Sequence, residues 1–162
     1  MSSVPTAPAY HKELIDGREV QKPLPKKLHA FAETFLLVDL ANRLPKPYEA
    51  LLELNTICGQ DRLVPDIIVT ERSARYLDGD LADPPMLAVE IMSPEQPLSD
   101  LLDRCERLHK AGTPQCWIIW PEKRRAWIYT PVSFQEAHGN LAASVGESTI
   151  EVSLQEMWAE LD

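Results

Sequence analysis

Two short apolar runs in this chain each carry a single acid where a buried strand normally has none. The runs are VPDIIV at residues 64–69, with Asp66, and MLAVEIM at residues 86–92, with Glu90. Continuous apolar runs of this length, bounded by polar residues and prolines, predict strands that are buried on both faces of a sheet. A buried carboxylate is costly unless it is hydrogen-bonded, paired with a cation or bound to a metal ion. The two acids therefore predict a functional site on neighbouring strands.

Length and composition predict one domain of ordinary globular character. The chain has 162 residues, 44% of them hydrophobic and 25% charged, which is enough to bury a sizeable core. We expect residues 1–9 to form a flexible leader and residues 10–162 to form the domain. No apolar stretch has the length of a membrane span and the N-terminus lacks an apolar signal core, so we expect a cytoplasmic protein without a membrane partner. The three scattered cysteines agree with a reducing compartment.

The net charge of −9 narrows the kinds of nucleic-acid binding that the chain can support. Proteins that coat nucleic acid without specificity usually present a basic surface, so the charge argues against that class. It is compatible with a small nuclease whose acids hold a metal ion while a few Lys and Arg side chains contact phosphates. The sequence also lacks a phosphate-binding glycine loop, a G-x-S-x-G nucleophile motif and His or Cys residues at zinc-ligand spacing.

The order of apolar patterns and turn residues predicts a mixed sheet flanked by helices. A helix at residues 28–43 has apolar side chains at helical spacing and ends before two prolines. A second helix at residues 99–110 follows the Glu90 strand, which predicts a parallel crossover. The other predicted elements are a hairpin at residues 13–20 with an Asp-Gly turn, strands at 50–58 and 149–152, a hairpin at 115–130 and a short helix from residue 154. The fold class is therefore α/β or α+β.

Asp66 and Glu90 have the chemistry of a shared cation site. Adjacent strands lie about 5 Å apart, so two acids at matching levels can bind one hard cation. Mg²⁺ suits such a pair because it needs few protein ligands and completes its octahedron with water and phosphate oxygens. Water on such a metal beside a phosphodiester is a nucleophile. The alternative is that each acid caps a strand end or pairs with an arginine.

Three acid-to-base pairs at i, i+4 spacing in the second helix are typical of a solvated helix face. They are Asp100–Arg104, Asp103–Arg107 and Glu106–Lys110. Spacing alone therefore gives Arg104 a surface role. Likewise, Glu13 can be an ordinary charge on an edge strand, and His29 can pair with Glu33 one helical turn later.

A set of short motifs follows a fixed order between Glu13 and Tyr129. The set consists of ELIDG at 13–17, a proline-rich approach to His29, PD at 65–66, VEIMSP at 89–94, Asp100, and AGTPQCW at 111–117. In this order the motifs resemble the Uma-type family of restriction endonuclease-like proteins, a bacterial branch of the PD-(D/E)XK nuclease superfamily. The resemblance implies a restriction-endonuclease-like fold with a mixed central sheet between helices.

The resemblance also implies a metal site and a substrate. Asp66 and Glu90 would bind Mg²⁺ or Mn²⁺, together with the backbone carbonyl of Ile91. Glu13 would be a further catalytic acid at the same site. The implied substrate and partner is DNA.

The resemblance places His29 and Asp100 along the cleft and makes Arg104 a candidate catalytic residue. The superfamily's lysine normally lies two residues after the glutamate, at the position that Met92 occupies in this chain. In this branch a lysine on the following helix supplies that function, and Arg104 holds its position. Arginine stays charged and transfers protons poorly, but it can bind a phosphate or stabilise a transition state.

Three functional hypotheses follow from these observations. The first is a metal-dependent endonuclease that hydrolyses phosphodiester bonds in DNA. The second is a catalytically impaired or inactive relative that binds nucleic acid or oligomerises, for example as a homodimer. The third is a structural or partner-binding protein in which an arginine pairs with Asp66 or Glu90 and no open cleft exists.

Overall fold

The structure, a computed structural model, describes residues 10–162, and the predicted flexible leader at residues 1–9 lies outside the described residues. The helices are α1 (Lys27–Arg43), α2 (Leu98–Lys110) and α3 (Leu154–Ala159), with one further 3₁₀ turn at Pro121–Lys123. The strands are β1 (Tyr10–Ile15), β2 (Arg18–Pro23), β3 (Tyr48–Leu52), β4 (Thr56–Cys58), β5 (Asp61–Leu63), β6 (Ile67–Glu71), β7 (Tyr76–Leu77), β8 (Asp80–Leu81), β9 (Leu87–Ile91), β10 (Cys116–Trp120), β11 (Arg125–Thr130), β12 (Ser133–Glu136), β13 (Asn140–Val145) and β14 (Ser148–Ser153).

A six-stranded mixed sheet with the order β12-β11-β10-β9-β6-β3 forms the centre of the fold. β9 and β10 are parallel and are connected through α2, whereas the other neighbouring pairs are antiparallel. This arrangement confirms the predicted parallel crossover and the mixed class of the fold. It also confirms that the two strands marked by buried acids, β6 and β9, are neighbours.

Both faces of the central sheet are covered, as the continuous apolar runs predict. Alternate residues such as Val89 and Ile91 pack with α1, α3 and the β13–β14 hairpin. The intervening residues, such as Ala88, pack with α2 and with the second sheet. Because side chains alternate across a strand, Glu90 shares the face of Ala88 and therefore points toward α2.

A second six-stranded sheet, with the order β2-β1-β5-β4-β8-β7, carries the N-terminal hairpin to the site. In the β1–β2 hairpin, Glu13 lies opposite Val20 and His11 lies opposite Lys22. Residues directly opposite each other in an antiparallel pair share a face, so Glu13, His11 and Lys22 all project from one side. The predicted Asp-Gly turn is confirmed: Asp16 and Gly17 both have left-handed φ angles, 51° and 77°.

The two long helices begin and end within one residue of their predicted bounds. α2 is followed by Gly112, whose φ of +118° and close approach to Pro84 leave no space for a side chain: a Cβ there would lie 2.7 Å from Pro84 Cγ. None of the helices in residues 10–162 is both long and apolar enough to cross a membrane.

The strand predicted at residues 50–58 is wrong as one element, because the chain forms two strands that belong to different sheets. β3 lies at the edge of the central sheet and β4 lies inside the second sheet. Between them Glu53 has a left-handed φ of 46°, a conformation that a continuous strand cannot contain. The apolar pattern alone did not reveal this turn.

Candidate functional site

The two buried acids lie where β6 begins and where β9 ends. β6 and β9 pair with Ile67 opposite Val89, a register that puts Asp66 opposite Glu90. Asp66 is 1% exposed and Glu90 is 2% exposed. The structure therefore brings together the two acids that the sequence marked, at matching levels of adjacent strands.

Asp66 is held by three groups from three parts of the chain. Lys22 Nζ lies 2.9 Å from Oδ1 and His29 Nε2 lies 3.2 Å from the same oxygen. The backbone N–H of Ile91 donates to Oδ2 at 2.6 Å. Burial opposes ionisation of Asp66, but the charge of Lys22 and the hydrogen bonds from His29 and Ile91 outweigh it and lower its pKa.

Glu90 and Glu13 both pair with Arg104. Arg104 Nε lies 3.1 Å from Glu90 Oε2, and its two terminal nitrogens donate to the carboxylate of Glu13 at 2.6 and 2.7 Å. The backbone N–H of Val64 donates to Glu13 as well, at 2.6 Å. Burial alone would lower the pKa of Arg104, but the charges of Glu90 and Glu13 raise it. Burial also raises the pKa of Glu90, an effect that the Arg104 charge partly offsets.

Arg104 therefore lies inside the protein, which its i, i+4 spacing did not predict. Three ion pairs were predicted on α2. Among the described residues the Asp103–Arg107 pair forms, with 2.8 Å between Arg107 Nε and Asp103 Oδ2. Arg104 instead projects into the site and is 7% exposed. This burial agrees with a site residue and contradicts the surface role expected from spacing.

An open cleft of about 640 Å³ adjoins these ion pairs. Its lining includes Glu13, Lys22, Lys26, Asp100 and Arg104. The hypothesis of a structural protein predicted a guanidinium on a strand acid together with no open cleft. The pairing at Glu90 is present, but the cleft contradicts that hypothesis.

Asp100 and His29, which were predicted to line the cleft, lie in different surroundings. Asp100 is part of the cleft wall. His29 is 5% exposed and contacts Asp66. Burial opposes the charged imidazole, but the hydrogen bond and the charge of Asp66 raise its pKa.

Lys22 is a site residue that the sequence analysis missed. Its ammonium contacts Asp66 and the backbone carbonyl of Val64, and its side chain is 13% exposed. Burial opposes its charge, but the negative charges of Asp66 and Glu90 raise its pKa. Its position in the sequence could have identified it. Lys22 lies two residues after Val20 and therefore on the same face of the return strand, but the predicted hairpin ended at residue 20.

Glu33 is the second missed residue. It lies one turn after His29 on α1, is 6% exposed and accepts no hydrogen bond from the described residues. Burial, together with the negative charges of Asp66 and Glu53, raises its pKa to about 7. The sequence shows that Glu33 lies four residues after His29. It does not show that the carboxyl of Glu33 is buried and without a partner.

The residues present fit a divalent cation. Glu90 Oε1 is buried and has no hydrogen-bond partner among the described residues, so one oxygen of the predicted Asp66–Glu90 pair is free for a metal. His29, Glu33 and Asp66 also each offer one ligand atom, and these three atoms lie within 4.8 Å of one another. Carboxylate oxygens and imidazole nitrogen are common ligands of divalent metals in proteins.

Comparisons with known proteins agree with this fold. No curated protein matches the chain. Among solved structures, the chain is similar to a protein from Anabaena variabilis ATCC 29413 described as a putative nuclease belonging to DUF820. The two are 25% identical, the match covers 98% of this chain and 94% of that one, and the TM-score is 0.79. This likeness supports a nuclease-like fold.

The match to a family model spans almost the whole chain. Residues 3–161 match the model of the Uma2 family, whose description is "Putative restriction endonuclease". The match includes every element that contributes to the site, from β1 to α2. The chain therefore belongs to the Uma2 family.

Proposed function

We propose that this chain is a metal-dependent endonuclease that hydrolyses phosphodiester bonds in DNA. The observation that carries the proposal is the concentration of buried charge beside the cleft. Five charged residues that are distant in sequence meet there, namely Glu13, Lys22, Asp66, Glu90 and Arg104. Buried charges in such number are characteristic of functional sites, because they cost stability that a purely structural core avoids.

Asp66 and Glu90 are the residues that would hold Mg²⁺ or Mn²⁺, with the carbonyl of Ile91 as a third ligand. The free oxygen of Glu90 supports this assignment. Such an ion, when bound, polarises the phosphate and makes water more acidic. Neutralising the two acids also removes the repulsion that two close carboxylates otherwise suffer.

Lys22 and Arg104 are the cations that would contact the DNA backbone. Both line the cleft, and both have raised pKa values because of the acids around them. They therefore stay protonated and act through charge and hydrogen bonds, not as proton carriers. Lys22 thus supplies an ammonium group beside Asp66, which compensates for the lysine missing at Met92. Arg104, fixed by Glu13 and Glu90, offers its remaining N–H groups to a phosphate oxygen.

A plasmid-nicking assay tests the proposal. Wild type, Asp66→Asn and Glu106→Gln are purified identically and compared with Mg²⁺ and with Mn²⁺. Because Asp66 is central to the site, we expect the Asn variant to nick at least about 100-fold more slowly, as for loss of one key electrostatic group. Glu106 is an exposed acid on α2, so its variant should match wild type. Equal nicking by wild type and Asp66→Asn contradicts the proposal and points to a contaminating nuclease.

One observation favours a second candidate function, a nucleic-acid-binding module without catalysis. Lys22 and Arg104 already neutralise the acids that would hold the metal. This candidate predicts that the protein binds DNA but gives no heat with Mg²⁺ or Mn²⁺ in titration calorimetry. Metal binding together with nicking that depends on Asp66 contradicts it.

A further inference from the structure

Among the buried acids of the described residues, Glu33 is the one with which no cation forms an ion pair. No lysine, arginine or histidine among residues 10–162 forms an ion pair with it, and its Oε1 is buried without a hydrogen-bond partner. At 6% exposure it cannot rely on bulk water. Buried polar groups are nearly always satisfied, so an orphaned carboxylate oxygen calls for a missing ligand.

The side chains of His29 and Asp66 lie close to Glu33. Glu33, His29 and Asp66 form a group that we call the His29 cluster, and one ligand atom from each lies within 4.8 Å of the others. Ligands at about 2.1 Å from a single cation lie at most about 4.2 Å apart, so side-chain rotations would bring these three atoms closer together around an ion. His29 Nδ1 is also buried and without a hydrogen-bond partner among the described residues. Two of the three members of the cluster therefore carry a buried polar atom without a hydrogen-bond partner.

Glu53 lies at the edge of the His29 cluster. The backbone N–H of Glu53 donates to the carbonyl of Asp66 at 3.0 Å, so Glu53 lies next to the cluster. Its side chain is 25% exposed and pairs with His11 at 3.3 Å. The cluster is therefore next to a partly exposed acid.

We propose that the His29 cluster binds a first-row transition-metal ion such as Mn²⁺ or Zn²⁺. The site differs from the Asp66–Glu90 pair: it shares Asp66 but takes its other ligands from α1. An imidazole nitrogen with two carboxylates suits these ions better than Mg²⁺, which prefers oxygen ligands. Three protein ligands leave coordination positions open for water. For its catalytic meaning this inference rests on the proposed nuclease function, but binding can be tested by itself.

Titration calorimetry with MnCl₂, ZnCl₂ and MgCl₂ tests the inference on the full chain. Wild type should bind Mn²⁺ and Zn²⁺ more tightly than Mg²⁺. Glu33→Gln should weaken Mn²⁺ binding by at least about tenfold, the smallest loss expected when even an outer partner of a metal ligand is removed. The matched control Glu106→Gln, an exposed helical acid of the same type, should bind like wild type.

A second measurement locates the ion and guards against misfolding. Glutamine has the shape of glutamate, so Glu33→Gln should unfold in EDTA at a temperature no lower than wild type. Anomalous scattering from a crystal soaked in Mn²⁺ should peak beside His29 and Glu33. A peak between Asp66 and Glu90 alone overturns the inference.

The outcomes separate this inference from the proposed function. If Glu90→Gln abolishes Mn²⁺ binding and Glu33→Gln leaves it unchanged, the inference is wrong and a metal-dependent nuclease remains supported. If Mn²⁺ binds in a Glu33-dependent way but no DNA is nicked, the inference holds and the proposed function is wrong. Absence of Mn²⁺ and Zn²⁺ binding to wild type overturns the inference.

Discussion

At the scale of single residues, the site depends on which cation is next to which acid. Arg104 uses its planar guanidinium to bind Glu13 with two hydrogen bonds while its Nε lies against Glu90. Lysine, a point charge, cannot make this set of contacts. Lys22 meanwhile provides the ammonium group at Asp66. The two cations therefore have separate tasks and are not interchangeable.

Arg104→Lys should destabilise the protein, although lysine is the residue that the family resemblance implies there. A lysine cannot replace both the paired contacts to Glu13 and the contact to Glu90, so we expect a loss of about 1–3 kcal/mol in the free energy of unfolding. Urea denaturation measures this loss. Arg43→Lys, which alters a single exposed contact with Asp39 one turn earlier on α1, is the matched control and should change little. An unchanged midpoint for Arg104→Lys contradicts the assignment of its contacts.

Lys22→Met should reduce nicking at saturating DNA and metal by about 100-fold or more, since it removes the ammonium beside Asp66. Lys26→Met is the control: Lys26 lines the same cleft but is exposed and is not among the groups that contact Asp66. It should lower the rate only slightly under the same conditions. Similar rates for the two variants would show that Lys22 contributes general cleft charge only.

At the scale of elements, α2 holds the N-terminal hairpin in place through Arg107. Its guanidinium pairs with Asp16 in the β1–β2 turn at 2.8 Å and with Asp61 of β5 at 3.0 Å. This contact fixes the position of the β1–β2 hairpin. Glu13 and Lys22 project into the site from one face of that hairpin. The geometry of the site therefore also depends on an ion pair outside the lining of the cleft.

Asp16→Asn tests this contact through its dependence on pH. The hydrogen bond and charge of Arg107 lower the pKa of Asp16 below its ordinary value. A carboxyl with a lowered pKa in the folded state stabilises the protein above its unfolded pKa of about 3.9. That contribution disappears as the pH falls through the lower folded value. Wild type should therefore be more stable than Asp16→Asn at pH 7, and the difference should vanish in strong acid.

Urea denaturation at pH 7, 4 and 2.5 measures the difference. Asparagine is well tolerated before glycine in a left-handed turn, so the backbone should stay unchanged. Asp78→Asn is the matched control, because Asp78 also precedes a glycine at a left-handed φ, 52°. It forms no ion pair in the described part of the chain, so its variant should show no comparable pH dependence. A constant difference between wild type and Asp16→Asn across the three pH values contradicts the role of the Arg107 pair.

At the scale of the whole molecule, the net charge of −9 means that the proposed DNA contacts would depend on a small basic area. The cleft contains Lys22, Lys26 and Arg104, flanked by acids such as Asp100 and Asp103. DNA binding should therefore be weak without metal and should involve few phosphates. Such a protein would depend on the divalent ion to reduce repulsion between its acids and the DNA backbone.

Salt dependence measures the number of phosphate contacts. For Asp66→Asn, which binds without cleaving, fluorescence anisotropy should give a slope of log K against log salt of about −2 to −3, as for two or three contacts. Adding Lys26→Met should make the slope shallower by about one. A slope near zero contradicts binding of the DNA backbone in this cleft.

The sequence by itself determined several main elements of the fold and one of its connections. The two strands with buried acids, both long helices, the Asp-Gly hairpin turn and the parallel crossover all follow from patterns within a few neighbouring residues. These patterns record burial and backbone preference, which are local properties of the chain. Asp66 and Glu90 were identified for the same reason, since a charge inside an apolar run is visible without knowledge of its partners.

Only the tertiary structure decided how those charges are balanced. Lys22 is 44 residues from Asp66, and Arg104 is 91 residues from Glu13. The spacing on α2 predicted a surface ion pair for Arg104. The orientation in which α2 packs on the protein directs this side chain into the interior instead. Glu33 likewise became a candidate metal ligand only when α1 packed beside β6. Electrostatic partners depend on distances of a few ångströms in space, and sequence patterns carry little information about such distances between remote segments.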